Sequence, residues 1–156
     1  QPTEQLDALL SKRQSLINVL KRRLDAGELT YARYLSTSQQ VFSSALDNLH
    51  EVAVAYESIS TIDETYIDRR LAELAADDSD AASAARERET LERRRDLRTT
   101  QRRRIAQFLA QNESALTALD RTTTALADVP IGKQPEDVDA AMAALEELAD
   151  RAAKYA

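Results

Sequence analysis

Residues 35–59 read LSTSQQVFSSALDNLHEVAVAYESI, and this stretch decides the fold class. Leu35, Phe42, Leu49 and Tyr56 lie seven apart, and Ala45, Val52 and Ile59 form the interleaved row. Leu46 and Ala53 widen the pattern. Apolar residues at such positions make the seam of one helix packed on another. A second stretch mirrors it further along the chain. Ile105, Leu119 and Leu126 share a heptad row with Asn112. Phe108, Ala115, Thr122 and Val129 form the other row, with Leu109 and Leu116 beside it.

Between the two seams the apolar pattern thins to Ile62, Ile67, Leu71 and Leu74 on one side and to Leu91 and Leu97 on the other. The run Ala76-Asp77-Asp78-Ser79-Asp80 separates the sides. A break of a few residues makes two long helices antiparallel neighbours. The expected class is therefore all-α: a long antiparallel helical hairpin, coiled-coil-like, folding back near Asp78. Each helix would have roughly 47 residues and be on the order of 70 Å long.

Two shorter helices complete the chain. The first carries Leu6, Leu9, Leu10, Leu16, Ile17, Leu20 and Leu24 on one broad face, with Thr3 as the expected N-cap and Gly27 just past its end. The last opens at Pro135 or Glu136, with Glu136, Asp137 and Asp139 suited to the positive helix end. Its apolar face is Val138, Ala141, Met142, Leu145, Leu148, Ala149 and Ala152. The expected helices are about 3–24, 29–75, 80–128 and 136–155, with Ser79 or Asp80 capping the third. All belong to one domain over 1–156. The short helices should pack at the base of the hairpin to give a four-helix bundle, from which an arm of about residues 60–104 projects.

Composition agrees. The 156 residues include two Gly and three Pro, too few for the turns of a β-rich domain, and the apolar share of 43% is almost free of aromatics. Cysteine is absent, which excludes disulfides, thiolate metal sites and cysteine nucleophiles. It does not fix the compartment. A cytoplasmic setting is slightly favoured, and the start at Gln1 fits a processed form or a piece of a longer protein. The 17 Arg against four Lys read as a bacterial coding bias without functional weight.

Charge is unevenly spread. Residues 60–80 hold seven acids and two bases, whereas 86–104 hold nine bases and four acids. Folding back near Asp78 sets these blocks side by side. Asp63 should fall near Arg93, Arg94 and Arg95, Arg70 near Glu87, and Asp68 and Arg69 near Arg88 and Glu89. Charges beside a narrow seam select partner and register.

Few residues could carry chemistry. His50 is the only histidine, three residues after Asp47. A di-iron bundle needs two carboxylate–histidine pairs, and a zinc site needs more nitrogen or sulfur ligands. A Ser–His pair would have to use His50, on a face expected to be exposed. Gly132-Lys133 lacks the preceding strand and glycine spacing of a phosphate loop. Asn112 in a heptad row reads as a register-fixing polar residue, and Thr122, Thr123 and Thr124 as packing or back-bonding residues. No catalytic residue, metal ligand or cofactor is expected.

The remaining surface is the expected arm, and its candidate partner-binding residues are Tyr66, Leu71, Leu74, Leu91, Arg94, Arg95, Arg98 and Arg102. The expected function is that of a non-enzymatic helical scaffold or adaptor, whose partner is another protein or a second copy of itself. The alternative is binding of a membrane surface or nucleic acid through the arginines. No aromatic interleaves them and the net charge is −6, so nucleic acid is disfavoured and a membrane surface is the lesser alternative.

Overall fold

The computed structural model describes residues 1–24, 29–76, 81–128 and 136–153, without the side chains of 81, 136–138, 140, 141 and 151–153. Gly27, Ser79, Asp80, Val129, Gly132, Lys133, Pro135 and Tyr155 lie outside the described residues, as do the side chains of Val138, Ala141 and Ala152. The chain is all-α. The described residues form five helices and no strand: α1 (Pro2–Arg23), α2 (Leu29–Ile59), α3 (Glu64–Ala76), α4 (Ala81–Asp128) and α5 (Glu136–Ala153).

Two compact units result. One comprises residues Gln1–His50 and Phe108–Ala156, the other Glu51–Gln107. In the first, a single apolar cluster draws on four helices. Leu9, Leu16 and Leu20 come from α1, and Tyr34, Val41, Phe42 and Ala45 from α2. Helix α4 gives Ala115, Leu116, Ala118, Leu119 and Leu126, and α5 gives Met142, Leu145 and Ala149. Burying a side chain of Leu size is worth roughly 1.5–3 kcal/mol, so this cluster dominates the stability of the unit.

Polar ties lock the cluster at chosen points. Buried Gln5 donates from Nε2 to the Leu109 carbonyl at 3.1 Å and to Glu113 Oε1 at 2.6 Å. Arg23 donates to the Ala127 carbonyl at 2.5 Å, near the negative end of α4. Asn112 is fully buried, as its heptad position requires. Its Nδ2 donates to the Ala45 carbonyl at 3.1 Å, and its Oδ1 accepts from Asn48 Nδ2 at 3.0 Å. Thr122 is also fully buried, and Thr123 Oγ1 back-bonds to the Leu119 carbonyl at 2.7 Å.

Several expectations need correction. Helix α1 begins at Pro2 and not after a Thr3 cap, with Gln1 at the cap position and no side-chain cap bond. Proline suits the first helical position because its φ is already helical and its missing N–H would have been unpaired there. Leu10 is exposed, because the buried line Gln5, Leu9, Leu16 and Leu20 leaves it off the core face.

The buried seam of α2 coincides with the expected rows only in part. Phe42, Ala45, Val52 and Ile59 are buried as expected, and Tyr34, Val41 and Ala55 join them. Leu35 and Leu49 are half-buried, and Tyr56 and Ala53 are exposed. The expectation favoured the bulkier of two adjacent rows. Close helix packing also admits small residues such as Ser38 and Ala55, both buried.

The largest correction is that residues 29–75 do not form one helix. Helix α2 ends at Ile59 and α3 starts at Glu64. Ser60 N–H donates to the Glu57 carbonyl at 3.2 Å and Ile62 N–H to the Ile59 carbonyl at 3.1 Å, both tight three-residue closures. Asp63 then caps α3: its Oδ1 accepts from Tyr66 N–H at 3.0 Å, and its carbonyl accepts from Ile67 N–H at 3.2 Å. The apolar pattern explains why. Eight residues separate Ile59 from Ile67, which in one continuous helix is about 80° past two full turns. Ile67, Leu71 and Leu74 would then point about a quarter turn away from the side that Val52, Ala55 and Ile59 bury. The break resets the phase, and Ile59, Ile62, Ile67 and Leu74 are all buried. Ile62 is therefore interior.

Candidate interaction surface

The second compact unit positions the candidate residues. Its buried apolar residues are Val52, Ala55, Ile59, Ile62, Ile67, Leu74, Leu91 and Ile105. Contacts between its segments run in reverse order along the chain. Arg104 Nη2 meets Glu51 Oε2 at 2.6 Å, Arg98 Nη1 donates to the Ile62 carbonyl, and Arg88 Nη2 donates to the Leu74 carbonyl at 3.1 Å. Arg70 and Glu87 form a two-pronged pair, Nε to Oε1 at 2.6 Å and Nη2 to Oε2 at 2.9 Å. That pair matches the sequence expectation. The guanidinium hydrogen bonds hold the Glu87 carboxyl below its ordinary range and raise Arg70 above its own.

The other expected charge pairs differ. Asp63 spends its carboxylate on the α3 cap, and Arg93 pairs with Glu89 on its own helix at 2.5 Å. Arg69 lies over the Tyr66 ring at 5.9 Å and near Glu73. Glu64 receives two α4 arginines, Arg98 and Arg102. Its Oε2 lies 3.1 Å from Arg98 Nε, an ion pair without hydrogen-bond alignment, and 3.2 Å from Arg102 Nη1. Helical side chains lean toward the N-terminus of their own helix by about one turn. An arginine head on α4 thus sits near the level of the residue four places earlier. The expected pairs ignored that lean, and the actual partners of Arg98 and Arg102 are displaced accordingly.

The candidate residues divide into interior and surface. Leu74 and Leu91 are buried and Leu71 is half-buried, so these three hold the unit together and offer little to a partner. Leu97, expected between the helices, is instead 51% exposed. Tyr66 is 41% exposed. Arg98 is mostly covered, and its guanidinium ties α4 to the end of the break. Arg102 is exposed beside Glu64. Arg94 and Arg95 are exposed, and among the described residues neither has an ion-pair partner. Val54, Tyr56 and Leu97 are exposed apolar side chains of this unit that were not on the expected surface. Their signal in the sequence was phase: each lies off the buried 3–4 rhythm.

His50 is exposed on α2. Among the described residues no group of three or more His, Cys, Asp or Glu is placed to hold a metal ion. No described helix is long and apolar enough to cross a membrane. Compared with protein-family models, curated proteins and solved structures, the chain matches none.

Proposed function

We propose that this chain is a helical scaffold domain that binds another protein chain, or a copy of itself, through the open side of residues 60–104. In this reading the first unit is a four-helix bundle of α1, α2, α4 and α5 that supplies stability. The second is a coiled-coil-like antiparallel pair whose outer surface makes the association. The observation that carries it is that Tyr66 and Leu97 stand open on the unit that also displays Arg94 and Arg95, two exposed cations without an ion-pair partner among the described residues. Large exposed apolar groups rimmed by polar ones mark association surfaces.

The reading is tested with a photo-crosslinking residue at Tyr66, in cells and in the purified protein. Discrete protein adducts, lost when Leu97 and Arg95 are replaced by Ser and Glu, are the expected result. A second reading rests on the same arginines: attraction to anionic lipid or nucleic acid. It predicts binding to anionic vesicles or duplex DNA that falls steeply with salt. Such binding, with no protein adduct at Tyr66, would overturn the scaffold proposal.

A further inference from the structure

The surplus charge on α4 has a counterpart on α5. Arg93, Leu97 and Arg104 follow one another at intervals of four and seven residues, and all three are exposed. On a helix those intervals define one stripe. Asp139, Ala143 and Asp150 on α5 repeat the same intervals, and they too are exposed. Laid side by side in parallel, the two stripes set Arg93 against Asp139, Leu97 against Ala143 and Arg104 against Asp150. A large apolar residue then meets a small one between two opposite-charge pairs.

Neighbouring groups reinforce the match. Arg86 and Arg94 stand exposed near the α4 stripe without an acidic partner among the described residues. Glu89 is already held by Arg93, leaving Asp96 as the nearby acid. On α5, Glu146 is held by Arg33 at 2.6 Å. The Arg93–Glu89 and Arg104–Glu51 pairs do not block the contact. Each is solvent-exposed, and such pairs are worth roughly 0–1 kcal/mol. A guanidinium also carries five donors and can serve a second carboxylate.

We infer that the α4 stripe of Arg93, Leu97 and Arg104 docks on the α5 stripe of Asp139, Ala143 and Asp150 of a second copy. The inference rests on the scaffold reading and narrows its partner to this chain itself. The two surfaces are different, so the contact is heterologous and propagates from copy to copy unless a rotation closes it. It depends on charge and is therefore salt-sensitive.

Sedimentation equilibrium of the full chain tests it. At about 0.01 M salt, where the screening length is about 30 Å, the average mass should rise with concentration; at about 1 M salt, where it is about 3 Å, the chain should be a monomer. R93E/R104E and D139K/D150K should each be monomeric at low salt while keeping the helical circular dichroism of the parent. Mixing the two variants should restore association, because each then offers the surface the other lacks. A parent that stays monomeric at low salt overturns the inference, as does a mixture that fails to associate or a single variant that associates like the parent. A monomeric parent that still gives protein adducts at Tyr66 removes this inference and leaves the scaffold reading standing.

Discussion

At the level of single residues, Asn112 and Tyr34 show what burial demands of polar groups. Asn112 uses both ends of its amide, toward the Ala45 carbonyl and toward Asn48. Replacement by Ala removes both bonds and leaves a gap. N112A should lower the unfolding free energy by about 1–3 kcal/mol, read as a lower midpoint in urea. N112L should recover much of that stability, because an apolar side chain of similar volume needs no partner. An unchanged midpoint in N112A would show that the two bonds contribute nothing. Tyr34 is pushed up to about 12 by burial, with the charge of Asp139 adding to the effect and Arg33 opposing it. The unfolded phenol titrates near its ordinary value of 10.0. The folded state thus favours the neutral phenol. Its stability contribution is complete below pH 10 and disappears as the pH rises toward about 12. An alkaline absorbance titration of the folded protein should show a phenol ionising near pH 12, and Y34F should remove that step. A Y34F titration that superimposes on the parent's above about pH 11 would contradict the assignment.

The element that most rewards attention is the break between α2 and α3. Asp63 closes it by capping α3, and Arg98 holds it by donating to the Ile62 carbonyl. D63A should destabilise the protein by about 1 kcal/mol, the usual cost of losing a cap, and D63N should restore most of it. Equal stability of D63A and the parent would mean that the cap is dispensable. The break was legible in the sequence, although not through a turn residue. No Gly or Pro stands in Ser60-Thr61-Ile62-Asp63. The signal was the phase slip between Ile59 and Ile67 together with an Asp at a cap position. An expectation built on a thinning seam passed over both. Helix α4 shows the opposite case. Its rows Ile105, Asn112, Leu119 and Leu126, and Ala115 with Thr122, are buried where the heptad put them.

Taken whole, the molecule divides its apolar residues unequally. One unit buries a cluster fed by four helices, with Leu9, Leu16, Leu20, Leu119 and Leu145 fully covered. Among the described residues the other relies on eight buried apolar residues, of which Val52 and Ile67 are fully covered. Local opening is easiest where fewest apolar side chains are buried. Amide hydrogen exchange should therefore be slower in α4 around Asn112 and Leu119 than in α3 around Ile67 and Leu71. Equal protection in the two segments would mean that the chain unfolds as one cooperative body. The candidate surface sits on the unit with fewer fully covered apolar side chains among the described residues.

The sequence by itself determined the helical class, the two rows of α4, the buried place of Asn112 and the Arg70–Glu87 pair. Each follows from local periodicity or from a fold-back whose centre the punctuation marks. Only the tertiary structure decided that α2 buries Tyr34, Val41 and Ala55 more fully than Leu35, Leu49 and Tyr56, and that Glu64 is the acid that receives Arg98 and Arg102. Those outcomes depend on how closely a neighbouring helix approaches and on which way its side chains lean. Distance and lean belong to the packed pair of helices, and neither is written in the spacing along one of them.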